Sequence, residues 1–217
     1  MNDLKFNEEF IAMKYVYEFI GTFFLVFTVG MTVLGPNNAG IMAPLAIGSV
    51  LAVMIFAGAH ISGGHYNPAV SFAVFLRGKL SSRDLGRYWI AQAIAAILAG
   101  YLTIYLKGYP DQTALAYEPI KAFLAEFLFT FALCFVVLNV AIAKGTKGNS
   151  FYGLAIGFTV LAGAYAVGAI SGAAFNPAVA LGITIMQLSV WPNLWMFFAA
   201  NFLGGLCASL VFKEVDG

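Results

Sequence analysis

Charge is what this chain has least of. Lys, Arg, Asp and Glu make up 10% of its 217 residues while 61% are hydrophobic, whereas a soluble domain carries roughly 25% charged residues. So thin a polar coat excludes a water-soluble globule and points to a protein whose solvent is lipid. Cysteine is scarce as well. Cys134 and Cys207 both fall in apolar runs, with neither metal-ligand spacing nor an external loop to staple, so they read as core residues. The formal net charge of +1 leaves no basic field for nucleic acid. A Gly-x-Ser-x-Gly elbow is missing. His60, Ser62 and His65 are neighbours, but Ser171 has no histidine near it, so neither enzymatic activity nor a cofactor or metal is expected. Ten-residue stretches alternating apolar and polar are also missing, which excludes a transmembrane β-barrel. The first fourteen residues carry Asp3, Glu8 and Glu9 in place of the basic start and cut site of a signal peptide, so the first span is expected to be the insertion signal.

Long apolar runs are what the chain does have. A helix needs roughly 20 residues to cross about 30 Å of hydrocarbon, and six runs qualify: Tyr15 to Leu34, Ile41 to Ala59, Leu85 to Leu106, Phe123 to Ile142, Tyr152 to Ile170 and Leu194 to Phe212. Two further apolar stretches, Pro68 to Leu76 and Pro177 to Leu188, are too short to cross. Cytoplasmic loops collect Lys and Arg. With the amino terminus inside, the inner segments hold Lys5, Lys14, Arg77, Lys79, Arg83, Arg87, Lys144, Lys147 and Lys213, and the outer ones only Lys107 and Lys121. Both termini are therefore expected to be cytoplasmic, in a multi-pass protein of the cell (plasma or inner) membrane.

The chain also repeats itself. ISGGHYNPAV at 61–70 and ISGAAFNPAV at 170–179 agree at seven of ten positions, and EFIGTFFLVF from Glu18 matches EFLFTFALCF from Glu126. Gln92 falls opposite Asn201 at the same offset of 109 residues as the first pair of stretches. Each copy holds three crossings, an odd number, so the second must lie upside down relative to the first. Such inverted repeats place binding or transit sites at the midplane, where broken helices meet. The repeats cover about 14–107 and 120–213 of one domain spanning 1–217.

Asn is a strong helix N-cap and Pro is favoured at the first helical position. Asn-Pro-Ala ahead of a short apolar run therefore starts a half-helix, at 67 and again at 176. The two would meet tip to tip at the bilayer centre. Each capping Asn spends its side-chain oxygen on first-turn N–H groups and keeps its NH₂ to donate. Both positive helix ends converge there and disfavour a cation. Irregular backbone at this depth is tolerated only where it is buried or lines a wet cavity. The carbonyls of Gly63, Gly64 and His65, and of Gly172, Ala173 and Ala174, are thus expected to form an acceptor ladder leading to the two donors. Glu18 and Glu126, costly inside spans, read as braces that accept backbone N–H bonds from these loops. His65 reads as lining or bracing the inner half.

With paired Asn-Pro-Ala motifs, each after Ile-Ser-Gly, and Glu-Phe-Ile-Gly-Thr opening the first span, the chain resembles the aquaporin (major intrinsic protein) superfamily over nearly its whole length. The resemblance implies an all-α membrane protein, a right-handed bundle of six transmembrane helices plus two re-entrant half-helices. It further implies one pore per subunit, a homotetramer in membrane lipid, and the same bracing role for the glutamates.

Most of that family has Arg after the second Asn-Pro-Ala. This chain has Val179. Counting from the two Asn residues puts the other outer-filter positions at Ile47, Ala164 and Ala173, a quartet with no charge and no side-chain donor. A similar Val occurs in some plant tonoplast relatives, associated as a group with water, ammonia, urea or peroxide. The usual Pro of the sixth span is replaced by Asn201. Either the small side chains leave a wider opening, or Ile47 and Val179 close into a hydrophobic gate that dewets. The expected function is a passive channel for water or small neutral solutes, glycerol, urea, ammonia and peroxide among them. The competing reading is a proton- or ion-coupled secondary transporter, which shares the inverted repeat but needs a charged site at midplane.

Overall fold

The computed structural model describes residues 2–110 and 114–216, apart from the side chains of 2–11 and 215–216. The side chains of Asp3, Lys5, Glu8 and Glu9 thus lie outside the described residues. Eight α-helices form among the described residues: α1 (Asn2–Val33), α2 (Ala43–Ser62), α3 (Pro68–Leu76), α4 (Ser82–Lys107), α5 (Pro119–Val137), α6 (Tyr152–Ser171), α7 (Pro177–Ile185) and α8 (Leu194–Asp216). Six helical segments among the described residues are long and apolar enough to cross a membrane: Ala12–Val33, Gly40–Ser62, Ser82–Lys107, Pro119–Ile142, Tyr152–Ser171 and Trp191–Glu214. They lie within a few residues of the runs read from the sequence. The polar amino-terminal segment is a continuation of α1 and not a separate arm.

One end departs from the sequence reading for a local reason. The apolar stretch after Pro177 was expected to run to Leu188, yet α7 stops at Ile185. Gln187 takes a left-handed φ of 60°, and the N–H groups of Leu188 and Ser189 both turn back to the Ile183 carbonyl. At the end of α5 the helix widens into a π-helical turn, Leu138–Ile142. Carbonyls freed from the α pattern there are taken by neighbours: the Thr146 hydroxyl donates to Asn139 O at 2.5 Å and the Asn149 amide to Val140 O at 2.6 Å.

Packing follows a twofold plan. In the first half α1 packs on α2 and α4, and in the second α5 packs on α6 and α8. The halves join along α2 and α6, where Gly48 and Gly157 let the backbones touch. A Cβ on Gly48 would stand 2.7 Å from the Gly157 carbonyl, and one on Gly157 would overlap the carbonyl of Gly48. Small residues commonly serve this purpose between membrane helices. Each half-helix lies against the last span of the other half, α3 on α8 and α7 on α4.

Successive crossings sort the connections onto two faces. One, the basic face, carries Arg77, Lys79, Arg83, Lys144 and Lys147, and there Tyr15 donates to Asp84 Oδ1 at 2.7 Å while Arg87 donates to the Tyr15 hydroxyl at 3.0 Å. On the opposite face the Lys107 ammonium donates to Met31 O at 2.9 Å, placing a cation at the carbonyl end of α1, where the helix dipole favours it.

Candidate transmembrane pore

The two re-entrant loops are built alike, from the backbone outward. Each follows a left-handed glycine that ends the preceding span, Gly63 after α2 (φ 90°) and Gly172 after α6 (φ 85°). The next residue is left-handed as well, Gly64 (φ 64°) or Ala173 (φ 52°), and so is the residue just before the asparagine, Tyr66 (φ 49°) or Phe175 (φ 48°). Non-glycine residues rarely adopt this conformation, and it persists only where the surroundings over-determine it. Here the surroundings include space carved for the ring: a Cβ on Gly21 would overlap the Tyr66 ring.

A buried carboxylate holds each loop in place. Glu18, fully buried, receives the Ser62 hydroxyl at 2.8 Å and the His65 N–H at 2.9 Å on Oε1. Its Oε2 receives the Tyr66 N–H at 2.7 Å and the Gln92 amide at 2.9 Å. Glu126, equally buried, receives the Ser171 hydroxyl at 2.7 Å and the Ala174 N–H at 2.9 Å on Oε1. Its Oε2 takes the Phe175 N–H at 2.7 Å and the Asn201 amide at 3.0 Å. Four donors on each carboxylate offset the cost of burying it. Both serine hydroxyls donate to a glutamate, and His60 stands edge-on to the Tyr17 ring.

The asparagines meet at the centre. Asn67 Oδ1 accepts from the N–H groups of Ala69 and Val70, and Asn176 Oδ1 from that of Ala178, which caps α3 and α7. The sequence reading left both NH₂ groups free. In the structure each gives one hydrogen bond across the interface, Asn67 to Phe175 O and Asn176 to Tyr66 O, both at 2.9 Å. An amide NH₂ has two donors, so one N–H per asparagine remains after the loops are tied together.

A single cavity of about 390 Å³ is lined by both asparagines and by Ile47, Ala164, Ala173 and Val179. Gly64, His65, Gly172 and Ala174 also line it. Gly63 does not: it turns the chain at the end of α2 and sits off the lining. His65 Nδ1 lies 3.1 Å from the Ser71 hydroxyl, which orients the ring where the cavity borders the first loop. The rest of the wall is mostly apolar, Leu25, Leu51, Val70, Leu133 and Ile156 among it. Glu18 and Glu126 are not on it.

Sequence reasoning missed the mouth on the face opposite the basic one. Leu115, Tyr117, Gln187 and Leu188 line the cavity there, joined by a hydrogen bond from the Leu115 N–H to Leu188 O at 3.4 Å. Burial pushes the Tyr117 phenol above its usual value, so at neutral pH it keeps its proton and remains a donor. The segment before α5 carries no motif that would have flagged Tyr117. Gln187 left one trace, a lone polar residue closing an apolar run.

Comparison with known proteins agrees with this architecture. The sequence description of the family named Major intrinsic protein matches residues 5–212. Nodulin-26 of Glycine max is 34% identical over 211 residues, covering 93% of this chain and 77% of its own length. Aquaporin TIP1-2 of Musa acuminata is 35% identical over 214 residues, covering 91% of this chain and 84% of its own. Among solved structures, the X-ray structure of the aquaglyceroporin from Plasmodium falciparum superposes with a TM-score of 0.77 at 21% identity, over 94% of this chain and 96% of that one, a likeness of fold. On the matched length and the identity of its relatives, this chain belongs to the major intrinsic protein family.

Proposed function

We propose that the chain is a passive channel in which water and small neutral solutes follow the cavity between Asn67 and Asn176. The observation that carries this reading is the shared lining: one cavity reaches both capping asparagines and all four filter positions. Converging positive ends of α3 and α7 disfavour cations at the centre, while the spare asparagine N–H groups replace water's hydrogen bonds. Relatives named aquaporin and a structural neighbour named aquaglyceroporin support water and small polyols as permeants. Coupled transport would need a charged group on the path, and the two glutamates are off the lining with their donors already supplied by the loops.

At the filter, Ile47, Ala164, Ala173 and Val179 offer no side-chain hydrogen bond, so backbone groups are the polar partners there. Ala164 and Ala173, small side chains at two of the four positions of this lining, favour the open, weakly polar filter over a dewetting gate. Topologically, the basic face is cytoplasmic by the excess of Lys and Arg, which puts both termini inside a cell membrane. Large apolar side chains on the outer surface, such as Ile90, Tyr105, Ile120 and Trp195, suit lipid and the subunit contacts of a homotetramer.

Stopped-flow light scattering on vesicles containing the purified chain tests the reading. Water, glycerol, urea and ammonia are expected to pass above the lipid background, without saturation and regardless of a proton gradient. Saturable, gradient-driven uptake would instead establish a coupled transporter. Val179→Arg puts a guanidinium with five donors on the cavity wall at a residue now 5% exposed. In this variant the glycerol and urea rates are expected to fall about tenfold, equivalent to about 1.4 kcal/mol of added barrier, with water flow still measurable. Unchanged solute selectivity in the same assay would count against the filter assignment.

A further inference from the structure

Under the channel reading just proposed, on which this inference rests, the four filter side chains offer a solute no hydrogen bond, and the backbone of residues 172–175 is what replaces its water there. What holds that backbone therefore governs selection. Glu126 holds it through Ser171, Ala174 and Phe175, and the fourth donor on the carboxylate is the Asn201 amide of α8. Asn201 is fully buried, and its nitrogen also donates to the Thr130 hydroxyl at 2.9 Å. We infer that Asn201 is a positioning residue of the filter: with Thr130 it aims the Glu126 carboxylate and so sets the backbone that permeants must pass.

The other half of the chain does the corresponding work with different parts. Gln92 donates to Glu18 Oε2 at 2.9 Å and to the Ser71 hydroxyl at 3.1 Å. Ser71 belongs to the half-helix α3, four residues after Asn67, while the position four after Asn176 is Ala180. Lacking that hydroxyl, the second half draws on Thr130, one turn along α5 from Glu126. Its counterpart in the first half, Thr22, keeps a buried hydroxyl with no hydrogen-bond partner. The amide is one methylene shorter than Gln92, and the gap is closed by Gly204, where a Cβ would stand 2.8 Å from Phe127 O. As a result the amide that completes the filter brace is held by α5 and α8 with no side chain of α7 involved, whereas the first brace also runs through Ser71 of α3. Loosening Asn201 should thus slacken the filter loop without releasing its half-helix.

The test is Asn201→Leu, close in size and without a donor, in vesicles of the full-length chain with water, glycerol and urea as probes. The ratio of glycerol to water permeability is expected to rise about threefold or more, because a slack loop widens the filter. A purely structural residue would lower all fluxes together with the yield of folded protein and leave the ratio alone. Gln92→Leu, which releases the other loop, is expected to reduce both fluxes without moving the ratio. An unmoved ratio in Asn201→Leu, or an equal shift in Gln92→Leu, overturns the inference. If Asn201→Leu does not fold, Thr130→Val decides: a smaller rise supports the inference and no rise overturns it. Wild-type vesicles passing none of the probes above lipid would instead overturn the channel reading itself.

Discussion

Glu126→Leu is expected to yield no folded channel. The substitution removes the acceptor of four donors: the Ser171 hydroxyl, the Ala174 and Phe175 N–H groups and the Asn201 amide. Side chains can turn elsewhere, but the two backbone groups are fixed by the left-handed turn at Phe175. A buried donor left unmet costs about 1–3 kcal/mol, so these two alone cost about 2–6 kcal/mol against a total stability of about 5–15 kcal/mol. Glu126→Gln is the milder probe. One carboxylate oxygen becomes an NH₂, which meets either the Ser171 and Ala174 donors or those of Phe175 and Asn201, donor against donor. The check is size-exclusion profile and thermal unfolding in detergent: aggregation for Leu, a lowered midpoint for Gln. A monodisperse, fully conducting Glu126→Leu protein would show that the loop does not depend on its brace.

Much of this architecture is legible in the sequence because the membrane leaves few alternatives. A stretch like Pro68 to Leu76, too short to cross and opened by Asn-Pro, has little choice but to be a half-helix whose cap lies in protein. The end of α7 was barely legible, since Gln187 alone interrupts an apolar run that resumes at Leu188, and the turn is made by its backbone, in a residue type that seldom adopts φ 60°. Nor was the second use of each capping amide. That bond runs to a carbonyl more than a hundred residues away, turned toward it by the left-handed Tyr66 or Phe175, and neither residue type announces such a conformation. Composition could mark Gln92 and Asn201 as polar residues at matched places, but their reach to Glu18 and Glu126 depends on how closely α4 and α8 approach α1 and α5. Tyr117 was hidden for a similar reason: only the folded connection brings it over the cavity.

The central claim is that permeants use the cavity between the two capping asparagines, and plugging it is the most direct test. Ala164 lines the cavity from α6, at a position of the proposed filter, and its methyl side chain has no hydrogen bond to lose. An indole there adds well over the volume of a water molecule to the wall of a cavity of about 390 Å³, so the plug is expected to block by size while α6 keeps its contacts with α2. The measurement is osmotic shrinkage of vesicles holding equal amounts of folded wild-type and Ala164→Trp protein. The account predicts that water and glycerol permeability in the variant both fall to the level of bare lipid. Wild-type flux through Ala164→Trp protein would contradict it, because solutes would then be crossing somewhere other than between Asn67 and Asn176.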